Sequence, residues 1–178
     1  MTEYPNQAGL DEKKEKGMSL QFLTRTAVLL AIALAVQWLR LPTYFTGPVV
    51  NAVLILATLF SGIWSGIIIG CITPVVALLM GIIPPAAIPL VPLIIAANIT
   101  LVLVFFFLDK ANRYVAWIGS AFAKYGMFYV GLRLLLHLFG VKLPAPLLLA
   151  FQIPQLYTAL VGGLTAVIIA RYLKQRMD

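Results

Sequence analysis

Residues 48–83 read PVVNAVLILATLFSGIWSGIIIGCITPVVALLMGII. The run is apolar nearly throughout, and it is too long for one membrane-crossing helix of roughly 20 residues. SGIWSG at 61–66 interrupts it. Its glycines and serines suit a tight turn, so the run reads as two helices, about 48–61 and 63–82. Pro48 is expected in the first turn of the earlier helix, where its missing N–H is not needed. That helix is short, and its length leaves open whether it crosses a bilayer fully. Reading 48–83 as two helices sets the total at six rather than five, which decides the side on which the chain ends.

The composition points the same way. Hydrophobic residues make up 62% of the 178 and charged residues 11%, against about 25% charged in a soluble domain. Such a chain is an integral membrane protein. Four further apolar segments lie near 20–40, 86–108, 114–139 and 146–171. With six spans, Lys13, Lys14, Lys16, Arg25, Lys110, Arg113, Arg171, Lys174 and Arg176 share one side, and only Arg40 and Lys142 fall in loops on the other. Basic residues favour the cytoplasmic side. The expected fold is therefore an all-α, compact bundle of six transmembrane helices with both termini cytoplasmic.

Three regions follow: a cytoplasmic tail at 1–19, a membrane domain at 20–173 and a short cytoplasmic tail at 174–178. The first tail, MTEYPNQAGLDEKKEKGMS, is polar and of mixed charge, and is expected to be mostly disordered. It does not read as a signal peptide, since no cleavage pattern follows the first apolar run. The outer side carries LPTYFTGP (41–48), IIPPAAIPLVP (82–92) and GVKLPAP (140–146), which read as stiff, irregular caps because proline disrupts helix interiors. The net charge of +7 gathers at span ends, as anchors do, so no nucleic-acid partner is expected. Cys71 reads as a small packing residue.

Polar groups inside a bilayer are costly, and each asks for a reason. They are Gln37, Asn51, Asn98, Lys124, Arg133, His137, Gln152 and Gln155, with Tyr125, Tyr129 and Tyr157. No acidic residue stands between Glu15 and Asp109 or between Asp109 and Asp178. The chain thus lacks a carboxylate relay for proton coupling, and a buried lysine has no intramembrane carboxylate to pair with. With one cysteine, one histidine and no such carboxylate, no catalytic set, metal site or cofactor site is legible, and the chain does not read as an enzyme.

Lys124 stands eleven residues beyond Arg113, roughly 16 Å into a helix and near mid-bilayer. Either it snorkels or bonds helix carbonyls, or it meets an anionic or carbonyl-bearing ligand. Arg133, nine residues on, falls on roughly the opposite helix face, and with His137 it reads as an interfacial anchor. Asn98, Lys124 and Gln155 are expected to converge beneath the 41–48 loop, with Asn51, Gln152, Tyr44 and Tyr125 as further ligand-binding candidates and Gly47 as a hinge. For each amide, helix-to-helix hydrogen bonding is the competing account. Pro154 leaves the carbonyl of Ala150 without its helical donor, which a glutamine amide or a ligand could satisfy.

In AVLLAIALA (27–35), alanines recur at Ala27, Ala31 and Ala35 and form a shallow groove on one helix face. Small residues mark helix contacts in lipid, either within the chain or with another protein. This first helix, together with RLPTYFTGPVVNAVL (40–54), GIIIGCITPVVALLMGIIPP (66–85), FAKYGMFYV (122–130) and six helices in a short chain, resembles the substrate-binding S component of energy-coupling factor (ECF) transporters. The resemblance covers about residues 22–173. It implies a bacterial cytoplasmic-membrane protein that binds a small water-soluble vitamin or precursor from outside. It also implies that Ala27, Ala31 and Ala35 dock on a transmembrane T subunit driven by two ATPases, and that the loop after the first helix acts as a lid. Riboflavin, folate, pantothenate, thiamine and cobalamin precursors all remain open as cargo. The alternative is a stand-alone small-solute carrier or channel, against which stand the missing carboxylates and the lack of an internal repeat.

Overall fold

The computed structural model describes residues 7–137, 140 and 143–177, with side-chain environments from Ser19 onward except at 146, 147, 150, 174, 176 and 177. Every regular element among them is helical. Six helices have 17 residues or more: α1 Gln7–Trp38, α2 Thr43–Ser61, α3 Ile63–Leu79, α4 Val91–Asp109, α5 Arg113–His137 and α7 Ile153–Met177. A 3-10 turn at Pro85–Leu90 leads into α4, and the short α6, Ala145–Ala150, precedes α7. Four segments are long and apolar enough to cross a membrane: Ser19–Trp38, Thr43–Ser61, Pro85–Asp109 and Ile153–Leu173; α3 is apolar but shorter.

The 48–83 run does divide into two helices. Between them stands Gly62, at φ 91°, a left-handed value that suits a residue without a Cβ. Its N–H closes α2 by bonding the Thr58 carbonyl at 3.1 Å.

Three boundaries differ from the sequence reading. Helix α2 begins at Thr43, not Pro48, because the Pro42 carbonyl accepts the N–H groups of Phe45 and Thr46 and starts the helix a turn earlier. Pro48 then sits inside α2, where it removes only the bond to the Tyr44 carbonyl. LPTYFTGP is therefore mostly helix rather than a loop, and Gly47 is a packing position rather than a hinge: a Cβ there would lie 2.6 Å from Thr158 Cγ2. The last segment is not one helix over 146–171. It breaks at Phe151–Gln152 between α6 and α7, because Pro154 has no N–H to give the Ala150 carbonyl and its ring crowds that carbonyl. At the other end, α1 begins at Gln7, ahead of the expected start near residue 20. In the 140–146 segment, residues 141 and 142 lie outside the described residues, as do 1–6 and 178.

Helix α2 is the centre of the bundle. Every residue from Asn51 to Thr58 is buried, as a helix enclosed on all sides requires. It packs most closely on α7, while α4 packs on α5. Helix α1 is peripheral. Within its apolar window 11% is buried, against 44% for the other three long spans, and it leans on α2 and α3 through Thr26, Leu29, Leu30 and Ala33. Two apolar clusters fill the interior. The larger joins mid-α2 to Leu101, Val102 and Phe105 of α4, Ala116 and Ala121 of α5, and Ala159 and Ala166 of α7. The smaller joins Ala87, Leu90, Leu93 and Ala97 to Phe128 and Leu132. Between the two, on α4 and α5, fall Asn98 and Lys124.

Candidate functional site: a polar floor beneath an apolar cavity

Lys124 is 4% exposed, Asn51 2% and Asn98 3%. The Lys124 ammonium donates to Asn51 Oδ1 at 2.6 Å and to Asn98 Oδ1 at 2.8 Å. Each asparagine is turned by a bond on its other side. Asn98 Nδ2 donates to the Gly70 carbonyl at 3.1 Å. That carbonyl is free because Pro74, four residues on, has no N–H to give it. Gly70 also lets α4 come close, since a Cβ there would stand 3.2 Å from Asn98 Cβ. Asn51 Nδ2 donates to Thr158 Oγ1 at 3.3 Å, and the Thr158 hydroxyl donates to the Gln155 carbonyl at 3.1 Å. The chain of bonds runs across α7, α2, α5, α4 and α3 and aims both amide oxygens at one ammonium. An ammonium carries three protons, and two are engaged here.

These groups form the floor of a cavity of about 250 Å³. Asn51, Asn98, Lys124 and Thr73 lie at its base, and Gln155 borders it. Its walls are mainly apolar: Leu41 and Val50 on one side, Ala77, Ile82, Ile83 and Pro84 on another, with Ile94 and Phe151. The lining draws on the α1–α2, α3–α4 and α6–α7 connections, which all lie at one end of the bundle. Below Lys124 the larger apolar cluster closes the path with fully buried Ala121, Val102 and Phe105. The cavity is a blind pocket.

Of the ligand-binding candidates, Asn51, Asn98, Lys124 and Gln155 line this cavity, and three others do not. Tyr44 is 56% exposed and packs edge-on against Tyr157, because the early start of α2 rotates it outward. Tyr125 pairs with Tyr129, at 6.5 Å between ring centroids, away from the cavity. Gln152 is exposed at the break before α7. Arg133 is exposed and stacks over Tyr129 at 5.0 Å, so Lys124 is the cation at the cavity. Gln37 was not among the candidates, yet it borders the cavity, and its Oε1 is buried without a donor among the described residues. A signal was there: Gln37 follows Thr26, Leu30 and Ala33 on the inward stripe of α1, at helical spacing.

Ala27, Ala31 and Ala35 are all exposed. Among the described residues, the alanine groove is not an internal helix contact. Comparison with known families, characterised proteins and solved structures yields no match to this chain. Among those residues, too, no group of three or more histidine, cysteine or acidic side chains is placed to hold a metal.

Proposed function

We propose that this chain is the substrate-binding S component of an ECF-type importer, binding a small vitamin or precursor in the cavity above Lys124. The observation that carries the reading is the blind pocket. A packed apolar core beneath a polar floor suits a subunit that captures cargo and hands it on, and it disfavours a continuous pore. The open alanine face on the least buried span supports a separate protein as its occupant, in the manner of a T subunit working with two ATPases. In this reading the cavity end faces outside and six helices cross the bacterial cytoplasmic membrane.

Topology has a direct test. With Cys71 removed, a single cysteine at position 176 is expected to react with a membrane-impermeant thiol reagent only after the cytoplasmic face is opened. Labelling from outside in intact cells overturns the orientation.

The docking face is tested by Ala31→Trp. Ala31 is exposed, so folding should change by no more than about 0.5 kcal/mol. The indole holds a neighbouring helix away from the groove. Co-purification with the T subunit and ATPases should be lost, and uptake with it, while the isolated chain keeps its small-molecule binding. Assembly at the wild-type level removes the alanine face from the mechanism.

A further inference from the structure

Resting on the cavity as the binding site, we infer that its occupant is a compact monocarboxylate. Charge comes first. Among the described residues, Lys124 is the only charged one lining the cavity, and no carboxylate stands in the chain between Glu15 and Asp109 or between Asp109 and Asp178. Asn51 and Asn98 hold the ammonium in place with neutral oxygens and leave its charge uncompensated. An isolated charge in apolar surroundings is costly unless a counter-charge enters with the occupant. A single carboxylate cancels the single cation and takes the third ammonium proton. A cationic molecule meets repulsion at the floor, and a dianion brings one charge too many for the cavity.

Size follows. The cavity, about 250 Å³, lies below the roughly 300–1,000 Å³ usual for small-molecule sites. It suits a single ring or a short chain rather than a fused multi-ring skeleton, and its aliphatic walls favour an apolar body.

Two probes share one ring and differ in charge: 4-aminobenzoate and its amide, 4-aminobenzamide. Binding to the purified wild-type chain is read by calorimetry and thermal stabilisation. The acid should bind at least tenfold more tightly than the amide, which has no charge to place beside Lys124. Equal binding of acid and amide, or binding of neither, overturns the inference. The importer reading is tested apart from it. A chain that binds neither probe yet assembles with a T subunit and drives uptake of a neutral or cationic cargo keeps the importer and loses the carboxylate. Selective acid binding without assembly does the reverse.

Discussion

Gly162→Leu is expected to abolish the folded bundle. Gly162 lies where α7 crosses α2. A Cβ there would meet the carbonyl oxygen of Pro48, stand 2.8 Å from Asn51 Cβ and 3.0 Å from the amide nitrogen of Ala52. Two of those three atoms are backbone of the central helix and cannot rotate aside. Overpacking a core with flexible neighbours costs typically 1–3 kcal/mol, and leucine adds three more carbons against rigid ones. The displacement would also reach Asn51 and so unseat the Lys124 network. The detergent-purified variant should lose its monodisperse elution peak or melt at least 10 °C below wild type, at roughly 2–4 °C per kcal/mol for a chain of this size. Gly126→Ala is the control. No atom lies within 4 Å of a Cβ at Gly126, and alanine favours the helix, so that variant should melt at or above the wild-type temperature. A Gly162→Leu protein with wild-type melting overturns the close α2–α7 pairing.

Lys124→Met should weaken acid binding by 10- to 100-fold. Methionine keeps most of the side chain's length and apolar stem but removes the charge and its donors. A charge-assisted hydrogen bond contributes about 1.5–3 kcal/mol, and each 1.4 kcal/mol is a factor of ten in affinity. The loss should fall on 4-aminobenzoate and spare 4-aminobenzamide, so the variant would no longer separate the two. The Asn51 and Asn98 oxygens also lose their donor, and stability must be followed in parallel. A variant that folds and retains the acid preference assigns Lys124 a purely structural role, that of tying α2, α4 and α5 together. Arg133 offers no substitute, since it points away from the cavity onto Tyr129.

The cost of placing polar groups in lipid made much of the site legible before any tertiary contact was known. Asn51, Asn98, Lys124 and Gln155 stood out because each interrupts an apolar run at compatible depth. Depth follows from residue count along a helix, a one-dimensional quantity. Rotation about the helix axis does not, and there the reading failed for Tyr44, Tyr125 and Gln152. Five extra residues at the start of α2 turned Tyr44 away, the break before α7 left Gln152 outside, and Tyr125, one residue past Lys124 on α5, falls on another helix face. Gln37 was passed over for the same reason: its place at the cavity depends on which face α1 gives to α2 and α3.

The sequence by itself determined the all-helical architecture and the division of 48–83 at Gly62, because apolar periodicity and helix-breaking residues act within a few positions along the chain. It also determined that Lys124 has no carboxylate to pair with inside its own apolar segments, which is a matter of composition. Only the tertiary structure decided that two asparagines from different helices hold the lysine, that Pro74 frees the carbonyl that orients one of them, and that the alanine face of α1 lies open. Each of these depends on side chains far apart in sequence meeting at a set angle, and that angle comes from the packing of whole helices, which no local pattern of residues encodes.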